Sequence, residues 1–250
     1  MAIDLKLFER VHSGRGLFAV ESISLIYNAL TSILILILFS RMDHPELMLM
    51  ERLGIVVLTF GLIYLYQLFP CRLTAFIRMA VQMSLLAYWY PDTFEFNRLF
   101  PNLDHVFARL EQWLFHCQPS VEFCKLCPSA WFSEPFNMGY FFYYPMILVV
   151  VVYYFLNRFE WFEKICFVLV TSFFIYYLFY ILVPVAGPQF YFPAIGMDKV
   201  NACDFPAIGT YFNTNDYLIP GPGYEHGFFY NLVEASQERV QVRICIMKCM

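Results

Sequence analysis

The residues of this chain best suited to metal or nucleophilic chemistry are eight cysteines and five histidines. Three of the cysteines cluster with a histidine in HCQPSVEFCKLCP, which places His116, Cys117, Cys124 and Cys127 close together. A Cys-x-x-Cys pair with a further Cys and His can ligate zinc tetrahedrally. In an oxidising compartment a disulfide among Cys117, Cys124, Cys127 and Cys203 is the alternative. Unpaired loop thiols are the plainer reading. Spacing by itself does not preform a metal site, so no metal and no cofactor is expected.

Three other stretches carry polar groups beside membrane-like sequence. In NLDHVFARLEQWLF, residues 102–115, Leu103, Val106, Leu110 and Trp113 recur at helical spacing. Asp104, Arg109 and Glu111 mark the polar side. Such a helix suits the headgroup level of a bilayer. Asp104 and His105 are adjacent, and adjacent helical positions do not face each other, so an acid/base pair is disfavoured. In ILVPVAGPQFYFPAIG, residues 181–196, Pro and Gly end a helix. There Gln189 and Tyr191 can meet a polar headgroup while Phe190 and Phe192 meet acyl chains. In IPGPGYEHGFFYNLVEASQERV, residues 219–240, a Pro-Gly turn precedes a helix over 224–237. Glu225, His226 and, further on, Arg239 are its binding candidates.

The elements that must position these groups follow from composition. Hydrophobic residues are 60% and charged residues 14% of 250. Soluble domains hold about 25% charged residues, so a soluble enzyme is excluded. Disorder needs low hydrophobicity and high charge. A net charge of -4 excludes a strongly basic nucleic-acid binder. Spanning helices need about 20 mostly apolar residues. Charge-free windows at 22–40, 53–69, 135–157 and 165–183 meet that need. A fifth window, 73–90, carries Arg78 and Gln82, with Arg78 close enough to its end to snorkel to the interface. Continuous runs exclude a barrel. The expected architecture is all-α: a polytopic transmembrane bundle of about five spans, with an interfacial N-terminal segment over 1–21. Within the strong spans only neutral polar residues and no ionisable pair are read, which disfavours a transporter.

Lys and Arg in short loops favour a cytoplasmic N-terminus in a multi-pass cell (inner) membrane. Residues 91–134 and 184–250 then share the extracytoplasmic face. Chemistry in a small membrane protein belongs where long loops converge beside the bundle. Membrane lipids are the expected partners.

The segments YPDTFEFNRLFPNLDHVFARLEQWLF, VPVAGPQFYFPA and GPGYEHGFFYNLVEASQ occur in that order. Together they resemble the bacterial type-2 phosphatidic acid phosphatase superfamily, nearest its inositolphosphotransferase and inositol phosphorylceramide synthase branch. The likeness covers most of residues 20–237 and implies a partial domain over 22–237. It implies a six-helix bundle acting on a lipid phosphate or phosphoinositol headgroup through a phosphohistidine. One His attacks phosphorus and is oriented by Asp. A second, in Pro-Ser-x-His, protonates the leaving oxygen, while Lys and Arg neutralise the phosphate.

The chain departs from that pattern. Pro119-Ser120 is followed by Val121 and Glu122, and Pro128-Ser129 by Ala130 and Trp131. No His has Asp four residues later: His12, His44, His105, His116 and His226 meet Gly16, Met48, Arg109, Ser120 and Tyr230. No Arg-Pro dipeptide occurs. No catalytic residue is therefore assigned, and the tail 238–250 has no counterpart in the family. The expectation is a truncated, catalytically incomplete member; a non-enzymatic membrane subunit or scaffold is the alternative.

Overall fold

A computed structural model of the chain describes residues 7–10, 16–126, 129–214, 227–233 and 235. Among these residues the regular structure is helical, in keeping with the all-α expectation. In chain order the helices are α1 (Ala19–Leu38), α2 (Pro45–Leu68), α3 (Arg72–Ser84), α4 (Leu86–Asn97), α5 (Asp104–Phe115), α6 (Pro119–Leu126), α7 (Ala130–Asn157), α8 (Phe159–Leu182), α9 (Pro188–Ile195), α10 (Met197–Asn201) and α11 (Tyr211–Thr214).

Four helical segments are long and apolar enough to cross a membrane: Ala19–Arg41, Pro45–Leu68, Trp131–Asn157 and Phe159–Leu182. The chain is an integral membrane protein on that ground. Helices suit hydrocarbon because every backbone group finds its partner within the segment. The fifth expected span resolves differently. Residues 73–90 fall on two short helices, α3 and α4, which meet at Leu85. At 13 and 12 residues, neither reaches the about 20 needed to cross alone.

Local sequence explains several helix starts. His44 takes the left-handed conformation at φ 54° and Pro45 opens α2, where its missing N–H is no loss. Glu21, in the first turn of α1, accepts the Phe18 N–H at 2.9 Å. Gly187, at φ 93°, turns the chain into α9 and Pro188 takes its first position. Residues 7–10 form a turn and a bridge rather than helix: Arg10 pairs with Cys71, and Glu9 and Leu7 accept from Arg72 and Leu73. The rest of the expected interfacial segment up to Arg15 lies outside the described residues.

The chain divides into two compact units. The first comprises Met1–Glu95 and Ile147–Phe179. Its core is aromatic: Tyr27 stacks on Phe174 with ring centroids 4.2 Å apart and meets Trp89 edge-on at 5.2 Å. Val151, Phe155, Phe162, Cys166 and Val170 complete it. The outer face of α1 shows Ile26, Leu30, Ile33, Leu36 and Ile37, which suits lipid.

The second unit comprises Phe96–Met146 and Tyr180–Met250, so it gathers most of the two long segments. Ala108, Val121, Tyr191, Phe192, Ile195, Val200 and Phe205 form its core.

Candidate functional site

The best-organised polar site in the second unit surrounds Asp104, the first residue of α5. Its Oδ1 accepts the Gly187 N–H at 2.8 Å, and its Oδ2 accepts the Ala186 N–H at 2.8 Å. Asn102 Nδ2 donates to the same Oδ2 at 2.6 Å, and Asn102 Oδ1 accepts the Asp104 N–H at 3.0 Å. Pro184 O accepts the Leu103 N–H at 2.9 Å. Backbone groups freed where α8 ends thus find partners on the residues that begin α5. The sequence placed Asp104 on a solvent-facing polar side. It is buried instead, and Val106, Leu110 and Trp113 face outward. The backbone N–H groups of the Pro-Gly turn require an acceptor, and only a buried carboxylate supplies two oxygens there.

Beside this clamp lies a cavity of about 210 Å³, lined by Asp104, Phe107, Glu111, Val185, Tyr191 and Phe192 among others. Its ionisable groups are acids and a phenol. Burial lifts the Glu111 carboxyl above its usual range. Burial, then the charge of Asp104, pushes the Tyr191 hydroxyl up to about 12. Arg109 donates to Phe205 O at 2.9 Å. The cavity suits an apolar chain or a neutral donor; its walls carry no cation for a phosphate.

The predicted site residues part company here. Gln189 is exposed at the start of α9. Tyr191 is buried, lines the cavity, and donates its hydroxyl to Pro206 O at 2.8 Å. Phe192 enters the core rather than acyl chains. Glu225, His226 and Arg239 lie outside the described residues. Cys117 and Cys203 are free thiols, half-buried and exposed; the Cys124 side chain and Cys127 lie outside the described residues. Among the described residues no group of three or more His, Cys, Asp or Glu could hold a metal ion.

A second polar contact in this unit escaped the sequence reading. Glu134, on α7, accepts the Phe229 and Tyr230 N–H groups at 2.9 and 3.1 Å, capping the helical stretch over 228–233. No local pattern signals a cap from 95 residues away.

The first unit holds two buried ion pairs, formed just outside the charge-free windows that open at 22 and 53, since Glu21 and Arg52 each lie one position before them. Arg52 of α2 meets Asp92 of α4 at 2.6 Å, and both are nearly inaccessible. Arg78 of α3 donates from Nε to Glu21 of α1 at 2.7 Å. Arg78 is fully buried and does not snorkel. Local sequence carried no signal for either pairing, because the partners lie 40 and 57 positions apart.

No protein-family profile, no curated protein and no solved structure matches the chain.

Proposed function

We propose that this integral membrane protein is built on the plan of the type-2 phosphatidic acid phosphatases. It serves as the scaffold and lipid-contacting part of a site for a lipid phosphate or phosphoinositol headgroup. The observation that carries the reading is the Asp104 clamp. It joins 102–104 to 184–187, two of the three segments on which the resemblance rests, within one compact unit. The sequence holds no Pro-Ser-x-His, and the cavity beside the clamp offers no cation, so the chain is assigned no phosphoryl-transfer step of its own. The absence of a nucleophile–base pair at the clamp equally favours the second reading, a non-enzymatic membrane subunit or scaffold. On either reading the N-terminus is cytoplasmic and the second unit's long segments lie outside the inner membrane.

Native mass spectrometry of the chain from nanodiscs of phosphatidic acid, phosphatidylinositol and phosphatidylcholine tests the first reading. Retention of the first two lipids beyond their bulk share supports it. Retained lipid that mirrors the bulk overturns it in favour of a scaffold. Phosphate release in proteoliposomes above an empty-vesicle control would overturn the assignment of no transfer step.

A further inference from the structure

Apolar spans normally bury small or apolar side chains against one another. In the first unit the buried stripe of α1 runs from Val20 to Ile35, and between them lie Glu21, Ser24, Tyr27, Asn28 and Thr31. Arg52 of α2 and Arg78 of α3 bond to it, and Thr59, Gln82 and Asp92 on α2, α3 and α4 are buried as well. Direct bonds tie much of this polar column together. Asn28 Nδ2 donates to Arg52 O at 3.1 Å, Arg52 Nε to Thr31 Oγ1 at 3.3 Å, and Gln82 Nε2 to Thr59 Oγ1 at 3.0 Å.

Among the described residues, four buried polar atoms of this region have no hydrogen-bond partner: Arg78 Nη1, Gln82 Oε1, Tyr27 Oη and, on α4, Trp89 Nε1. The orientation of Gln82 follows from its neighbour. Thr59 gives its one hydroxyl proton to Ile55 O at 2.8 Å, so it can only accept from Gln82, and the carboxamide must turn Nε2 toward it. Oε1 is therefore the acceptor left over. Arg78 and Gln82 lie four positions apart on α3, which sets their side chains on one face within a turn. One is a charged donor and the other a neutral acceptor, both fully buried. Lipid cannot satisfy either, and a buried polar atom left without a hydrogen bond is unfavourable.

We propose that the buried face shared by α1, α2, α3 and α4 is an internal water-binding site. Water bridges Arg78 Nη1 to Gln82 Oε1 at one level. At the other level it meets Tyr27 Oη and Trp89 Nε1, whose rings touch beside Arg52. Water suits both levels because it donates and accepts at once; an ion of either sign would meet an Arg–carboxylate pair already neutralised. The two hydrated levels lie beside the two ion pairs, in a unit where the outer face of α1 is apolar.

Radiolytic hydroxyl-radical footprinting of the whole chain in nanodiscs tests this, because bound water generates the radical beside the residues that hold it. Met79 is buried three positions before Gln82, and Tyr27 and Trp89 line the other level. Normalised to intrinsic reactivity, all three are expected to label several-fold faster than the equally buried Cys166 and Phe162. Gln82→Leu should bring Met79 down to the control rate and leave Tyr27 and Trp89 unchanged. Labelling of the unsubstituted protein no faster than the controls overturns the proposal, whether or not the variant folds. Unchanged Met79 labelling in a folded Gln82→Leu variant overturns the Arg78–Gln82 bridge.

Discussion

The carboxylate of Glu134 fills the space that a side chain at Gly227 would need: a Cβ there would collide with Glu134 Oε1. Glu134 can retreat only by releasing the Phe229 and Tyr230 N–H groups. Gly227→Ala is therefore expected to cost about 1–3 kcal/mol through lost cap bonds. Glu134→Gln should cost less, since one carboxamide oxygen still accepts. Hydrogen exchange at 228–233 checks both, with faster exchange in Gly227→Ala.

Asp104→Asn turns a carboxylate that receives three donors into a group with one acceptor and two donors. At least one part-buried N–H at Ala186 or Gly187 then loses its partner. A loss of about 1–3 kcal/mol is expected, read as a lower midpoint of thermal unfolding in detergent. Exchange should rise at 184–188 before it rises in α1.

The pair Glu21–Arg78 is expected to behave as a buried ion pair. Arg78→Met alone strands the Glu21 carboxylate and should cost about 3–5 kcal/mol. Glu21→Gln combined with Arg78→Met should recover the larger part, because no unpaired charge remains. A double-mutant cycle on denaturant unfolding reads the coupling; additive single losses would show that the pair contributes nothing.

Tyr191 sets an alkaline limit. Burial and Asp104 raise its hydroxyl from 10.0 to about 12. A raised folded-state value means the neutral phenol is the form held by the fold. Its contribution is complete below pH 10 and is lost as pH rises through about 12. Tyr191→Phe removes the bond to Pro206 O and should cost about 1 kcal/mol at neutral pH. Its unfolding curve should then fall less steeply than the unsubstituted protein's on the alkaline side.

Cys203 is an exposed free thiol in the second unit. With the proposed orientation, a membrane-impermeant maleimide should label it from outside intact cells. Labelling only after the membrane is opened would reverse the orientation.

The four long spans were legible in the sequence because hydrocarbon acts locally. It requires a run of apolar residues and an internally bonded backbone, and both can be read within twenty or so positions. The break after Val183 and the helix over 104–115 were legible for the same reason, through Pro, Gly and apolar period. The pairings were not. Arg78 meets Glu21 across 57 positions, and Asp104 meets Gly187 across 83. A lone Arg near a span end carries the same local pattern whether it snorkels or finds a buried acid. A helix-starting Asp looks alike whether it faces solvent or clamps a distant turn. Tyr191 reads as an interfacial aromatic until Pro206 O is placed beside its hydroxyl. The sequence by itself determined the four segments long and apolar enough to cross a membrane, because that depends on composition along one helix. Only the tertiary structure decided which charges are neutralised and which polar groups turn inward, because a buried charge takes its partner from wherever the packing brings one.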